Sequence, residues 1–205
     1  MIARLTVLAV VAFGSACTSG PRAPVDTRPY EDQIQSFRAE KDLFFRTDPD
    51  SPLLPEDRAG FLGLPYYPID AALRVPALLT EEPSNPPAII ELQTSGIRPD
   101  RMRKVGMLGF AIGGATHTLT AFAPADVRTV RRLFVPFSDA TAGAETYKGG
   151  RYLDLDRTPT GLYDLDFNRA YHPNCVYNVS WVCPIPPREN RLPVPIRAGE
   201  RLPPQ

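Results

Sequence analysis

The stretch Tyr152-Leu-Asp-Leu-Asp156, the turn Arg157-Thr-Pro-Thr-Gly161 and the run Tyr163-Asp-Leu-Asp-Phe-Asn168 decide how this chain folds. Their alternation has a period of two, the period of a β-strand with one buried face. It places Leu153, Leu155, Tyr163, Leu165 and Phe167 on one side and Asp154, Asp156, Asp164, Asp166 and Asn168 on the other. The short turn between the runs predicts a hairpin. Parity then gathers the carboxylates on one face, where like charges oppose each other by up to about 1 kcal/mol per pair. A cation, or Arg151, Arg157 and Arg169, is expected to compensate. An EF-hand is excluded: Arg169 stands where the loop needs glycine and Cys175 where it needs glutamate.

Upstream, the same reading recurs. Leu73 to Leu79, Ala88 to Gln93, Val105 to Ile112, His117 to Phe122 and Leu133 to Phe137 are short apolar runs separated by turn residues, and Gly113-Gly114 supplies the positive φ of a tight hairpin. Ahead of them, Tyr30, Ile34, Phe37 and Phe44 fall near helical spacing from about Pro29 to Arg46, with Asp26 or Thr27 as cap. Five prolines between Pro49 and Pro68 preclude a long helix there and predict an irregular wrap. The expectation is one α+β domain over 30–201: mainly antiparallel sheet, as a barrel or sandwich, with an N-terminal amphipathic helix. Residues 202–205 form a tail.

The N-terminus addresses the chain. Arg4, the apolar stretch Leu5 to Phe13, and Gly14-Ser-Ala-Cys17 form an export signal over 1–16 ending in a lipid-attachment cysteine; the apolar part is too short to span a bilayer. Cys17 is the expected lipidation site, and residues 17–29 read as a flexible tether. The reading places the protein in the cell envelope, facing the periplasm or held at the outer membrane. A simple signal cut after Ala16 is the alternative. With Cys17 lipidated, Cys175 and Cys183 remain as a pair in an oxidising compartment, for which a disulfide is expected. Fully extended, the two would lie about 26 Å apart, so the chain must reverse between them, with Asn178 to Ser180 at the midpoint. Zinc ligation by His172, Cys175, Cys183 and Asp166 is the weaker alternative, because the spacing is unlike closed zinc sites.

The C-terminal half also carries a family signature. Leu133-Phe-Val-Pro-Phe-Ser-Asp139, the run on to Tyr147, Gly150-Arg-Tyr-Leu153, Asp166-Phe-Asn-Arg-Ala-Tyr171, Pro173-Asn-Cys175, Cys183-Pro-Ile-Pro-Pro187, Glu189-Asn190 and Ala198-Gly-Glu200 resemble a prokaryotic family known as domain of unknown function 1684. Ser51-Pro-Leu53, Arg58 and Phe61 to Pro68 match it too. The resemblance implies membership but no activity. Ala142 stands where a serine is usual and His172 where an asparagine is usual, which weakens a serine-nucleophile or histidine-ligand reading.

Twenty-three basic and twenty-three acidic residues give a formal charge of zero, so no nucleic-acid partner is implied; the clusters Arg98 to Lys104 and Arg128 to Arg132 read as solvated faces. No phosphate loop, nucleophile elbow or paired-histidine metal motif occurs, and no cofactor or metal is expected. The candidate site is a polar pocket of Glu145, Tyr147, Arg151, Tyr152, Asp166 and Asn168, in which Arg151 reaches Glu145 or Asp166. Two functions use it. The first is a binding module for a small polar ligand or an envelope protein partner; the second is a carboxylate-dependent hydrolase drawing on Glu145, Asp166 or Glu200.

Overall fold

The computed structural model describes residues 26–82, 84 and 86–203. The export signal, Cys17 and most of the tether lie outside the described residues. All seven expected strands form: β1 (Arg74–Glu81), β2 (Ile89–Leu92), β3 (Asp100–Ile112), β4 (Ala115–Pro124), β5 (Arg132–Phe137), β6 (Arg151–Asp156) and β7 (Leu162–Asp166). They make one antiparallel sheet in the order β6-β5-β4-β3-β1-β7, with β2 extending the β1 edge of β3. Gly113 and Gly114, both at positive φ, turn β3 into β4 with Ile112 opposite Ala115.

The expected hairpin of β6 and β7 is corrected. The two strands are adjacent in sequence but stand at opposite ends of the sheet path, β6 bonded to β5 and β7 to β1. The sheet curls into a nearly closed barrel, and the 157–161 turn bridges its seam. Parity holds within each strand: Leu153, Leu155, Tyr163 and Leu165 enter one core with Leu108, Leu119, Leu133, Val135 and Phe137. The seam is stitched at one point, where Tyr152 and Tyr171 exchange backbone hydrogen bonds of 2.9 and 3.0 Å.

Helix α1 (Tyr30–Thr47) lies along that seam. Its N-cap is Pro29 with no side-chain cap bond, because Asp26 is engaged by Arg28 instead of capping the helix as expected. One stripe of the helix does the packing. The Tyr30 hydroxyl donates to Asp166 Oδ1 at 2.8 Å, Ile34 is fully buried, Arg169 stacks on Phe37 at 4.8 Å, Lys41 stacks on Tyr171 at 4.3 Å, and Phe45 meets Tyr177 edge-on at 4.9 Å. Phe44, expected on this stripe, is exposed, and Phe45 takes its place. The proline-rich wrap includes only the short helix α2 (Pro55–Arg58) and pairs with the chain's last segment through Tyr67 N to Gly199 O, 3.0 Å, and Arg201 N to Pro65 O, 2.9 Å.

The end of the barrel where β6 begins is shut by a buried ion pair. Arg151 shares the inward parity of Leu153 and Leu155, and its Nη2 donates to Asp139 Oδ2 at 2.8 Å with both side chains excluded from solvent. The same guanidinium donates to the backbone carbonyls of Ile196, Ala198 and Glu200. Asp139 Oδ1 accepts from the N–H groups of Thr141 and Ile196 and from the Thr141 hydroxyl. Gly199 crosses at φ 75° with a would-be Cβ 2.4 Å from Ala170 O, so only glycine fits this approach.

The strap 196–200 delivers Glu200 into a dry cluster. Its carboxylate accepts from the His172 backbone N–H at 2.7 Å and the Tyr177 hydroxyl at 2.8 Å, and pairs with Lys41 of α1 at 2.5 Å. His172 Nε2 accepts from the Tyr147 N–H at 3.2 Å. Burial, with Arg151 and Lys41 nearby, lowers the His172 pKa from 6.5 to about 3, so the ring is neutral.

Two outcomes follow from this end of the barrel. Arg151→Ala orphans a buried carboxylate and should lower unfolding free energy by about 3–5 kcal/mol in denaturant melts, whereas a loss under about 1 kcal/mol would mean Asp139 is solvated. The neutral His172 is protonated in the unfolded chain below pH 6.5 but in the folded chain only near pH 3. Its contribution is therefore intact above 6.5 and lost as pH falls, at up to about 1.4 kcal/mol per pH unit. The difference between wild-type and His172→Asn stability across that window should show this slope; parallel curves would contradict it.

Candidate functional site: an aromatic cleft on the barrel seam

The six residues expected to share a pocket do not converge. Arg151 faces inward and pairs with Asp139, not with Glu145 or Asp166. Glu145 lies on the outside of the closed end, gripped by Arg197 at 2.7 Å and by the Tyr67 hydroxyl at 3.1 Å, and the Arg197 guanidinium holds its carboxyl below the usual range. Asp166 and Asn168 are buried beneath α1. Asn168 Nδ2 donates to the Tyr30 hydroxyl and to Asp70 O, both 2.8 Å, while its Oδ1 accepts from Asp70 N at 2.9 Å, a network that docks the helix and the start of β1. Tyr147 stands near the cysteines, and Tyr152 points to the opposite side of β6 from Arg151.

The acidic face is dispersed too. Asp164 pairs with Arg74, Asp156 with Arg132 at 3.1 Å, and Asp166 with Arg169 at 3.4 Å; of the three expected arginines only Arg169 serves, since Arg157 pairs with Glu81. Barrel curvature separates β6 from β7 and lets Asp156, Asp164 and Asp166 each find its own cation. Asp154 alone on this face has no ion-pair partner among the described residues.

Asp154 is also where three concavities meet, each lined in part by it. The largest is an apolar cleft of about 490 Å³ outside β5 and β6. Its walls are Phe134, Tyr152, Tyr171 and Trp181. Tyr152 sits edge-on to Phe134 at 4.7 Å and to Tyr171 at 5.6 Å, and its hydroxyl donates to the Pro184 carbonyl. The Tyr171 hydroxyl donates to Asp154 Oδ2 at 2.9 Å. Asp154 is solvent-exposed yet crowded by the surrounding atoms of the concavity, and that desolvation raises its pKa from the ordinary carboxylate value. Asp100 lines the cleft as well, and Arg132, its one cation, is already engaged by Asp156. The cleft is thus apolar, aromatic and net acidic.

The segment 173–184 forms its far wall. The chain reverses as expected, at Asn178, whose Oδ1 accepts from the N–H and hydroxyl of Ser180, and Trp181 N donates to Asn178 O at 3.1 Å. Cys175 and Cys183, the expected pair, are brought side by side as free thiols in this structure, the Cys175 N–H donating to Cys183 Sγ at 3.2 Å. Burial and the contact with Cys175 push the Cys183 thiol up to about 12. The zinc reading fails on placement. Asp166 lies under α1, His172 Nε2 is occupied, and no cluster of three metal-ligating side chains occurs among the described residues. Of the cleft residues, only Tyr152 belongs to the pocket expected from sequence. Trp181, the chain's one tryptophan, and the unpaired member of the aspartate alternation were the signals available.

Residues 59–201 match the model of a family described as a protein of unknown function, DUF1684. The chain is also similar to an uncharacterized protein of Haloarcula marismortui solved by solution NMR: 41% identity, 84% of this chain and 94% of that chain covered, TM-score 0.66. No curated protein matches. Matched over residues 59–201, well over half of its length, the chain belongs to the DUF1684 family.

Proposed function

We propose that the protein is a binding module of the bacterial cell envelope, held by a lipid on Cys17, whose ligand is a small molecule with a cationic head and an apolar body. The observation that carries this reading is the aromatic cleft with an unpaired carboxylate at its junction. Ring faces among Phe134, Tyr152, Tyr171 and Trp181 can accept a quaternary group, and such contacts contribute about 0.5–2 kcal/mol each to cation recognition, while ring edges accept the apolar body. Asp154 and Asp100 supply the opposite charge. A bound cation favours the charged carboxylate, so ligand binding should lower the raised pKa of Asp154. The envelope location rests on the signal and lipid-attachment cysteine of residues 1–17.

A carboxylate-dependent hydrolase is the second reading, favoured by the carboxylate of Asp154 at the cleft, whose pKa desolvation raises although the Tyr171 hydroxyl that donates to it pulls the other way.

Trp181 reports on the cleft directly because it is the only tryptophan. Titration with benzyltrimethylammonium should change its fluorescence saturably, benzoate should not, and Asp154→Asn should weaken the response about tenfold, or about 1.4 kcal/mol. Equal response to both probes, or none, would refute the cleft reading. Separately, Cys17→Ser should move the protein from the membrane to the soluble envelope fraction; unchanged partitioning would refute the anchor.

A further inference from the structure

The opposite end of the barrel has a different character. Six residues along β6 from Arg151, about 20 Å at strand rise, the chain emerges at Arg157 on the rim of an open mouth of about 390 Å³. Val105, a member of the barrel core, and Val130, packed against that core, line its depth. Around it stand Arg103, Lys104, Arg128 and Arg157, against Glu81 and Glu82. Members of two basic clusters that are separate in sequence, Arg103 and Lys104 of 98–104 and Arg128 of 128–132, therefore meet here with a fourth cation, Arg157, just past the end of β6.

The charge count is uneven in a specific way. Arg157 pairs with Glu81, and Lys104 pairs with Glu82 at 2.8 Å. Arg103 and Arg128 have no acidic partner among the described residues, and none of the remaining residues of the chain has an acidic side chain. Two permanently charged guanidinium groups are left over. The backbone is shaped for the arrangement: a β-bulge between Lys104 and Gly106 breaks the β3–β4 register at the rim. Gly106 permits it, since a Cβ there would stand 2.3 Å from Thr80 O. Bulges of this kind re-aim side chains at barrel rims. Barrel mouths are also preferred small-ligand sites.

We propose that this mouth is a second binding site, specific for a phosphoryl group, with Arg103 and Arg128 as the ligating forks. A phosphoryl group carries from about one negative charge as a diester to about two as a monoester at neutral pH, within the surplus of two. Its oxygens accept the paired N–H groups that arginine presents and lysine does not. Lys104 and Arg157, already neutralised, shape the rim. The site is independent of the aromatic cleft and of its ligand. The phosphoryl group can belong to a soluble metabolite or to an anionic lipid headgroup, and the two sources are separable by experiment.

Isothermal titration of the full chain carrying Cys17→Ser, which removes the anchor's own membrane affinity, tests this with two probes: pyrophosphate, and phosphatidylglycerol vesicles against phosphatidylcholine vesicles. At least one phosphoryl probe should bind saturably, and Arg103→Gln/Arg128→Gln should weaken it tenfold or more while Asp154→Asn leaves it unchanged. Binding of pyrophosphate assigns a soluble ligand; binding of phosphatidylglycerol vesicles alone assigns a headgroup. Absence of saturable binding by both probes, or equal binding by wild type and the double arginine variant, overturns the proposal. Both arginines are on the rim, so the variant's thermal melt should match wild type, and Arg103→Lys/Arg128→Lys, which keeps the charge but not the forks, should recover only part of the affinity.

Discussion

The buried pair of Arg151 and Asp139 is the constraint on which the rest of the molecule depends. A charge pair taken out of water is stable only when its remaining donors and acceptors are met, because desolvation of each ion costs several kcal/mol. The chain meets most of them with its own backbone: the guanidinium donates to three carbonyls of 196–200, and Asp139 accepts from the N–H groups of Thr141 and Ile196. That requirement pins the last strap across the end of the barrel. The strap carries Glu200, which in turn holds Lys41 of α1, the backbone of His172 and the hydroxyl of Tyr177. Helix, strap and the 171–177 segment are thereby positioned by one polar cluster rather than by apolar burial alone.

The cleft is a consequence of how the barrel fails to close. Strands β6 and β7 do not pair, so their facing edges need cover, and α1 together with the Tyr152–Tyr171 bridge provides it. Beyond the bridge the seam stays concave. Asp154, two residues along β6 from Tyr152 and on the same face, is left at its junction with an aromatic wall on one side and the helix on the other. An edge that would otherwise invite another strand becomes a ligand-sized concavity with a carboxylate in it.

The strands were legible because each has one buried face, and alternation survives whatever the partner strand turns out to be. Pairing was not: a short turn between two alternating runs reads as a hairpin locally, and only closure of the whole sheet, a property of all seven strands, keeps β6 and β7 apart. The same parity that places Leu153 and Leu155 inside places Arg151 inside, so its burial was readable; its partner was not, since Asp139 lies on a different strand's exit and nothing in residue spacing marks it. Asp166 and Asn168 were recognised as distinctive but assigned to a ligand, whereas they serve the docking of α1. The cleft residues were missed because Phe134, Asp154, Tyr171 and Trp181 come from four separated segments.

Asp154 is where this account is most exposed. Its ionisation can be followed by carbon-detected NMR of the labelled carboxyl, with and without a saturating quaternary ammonium probe. The account predicts a titration midpoint above the ordinary carboxylate range in the free protein, brought down when the probe binds. A midpoint at or below that range, unmoved by the probe, would contradict the assignment of Asp154 as the charged anchor of the cleft.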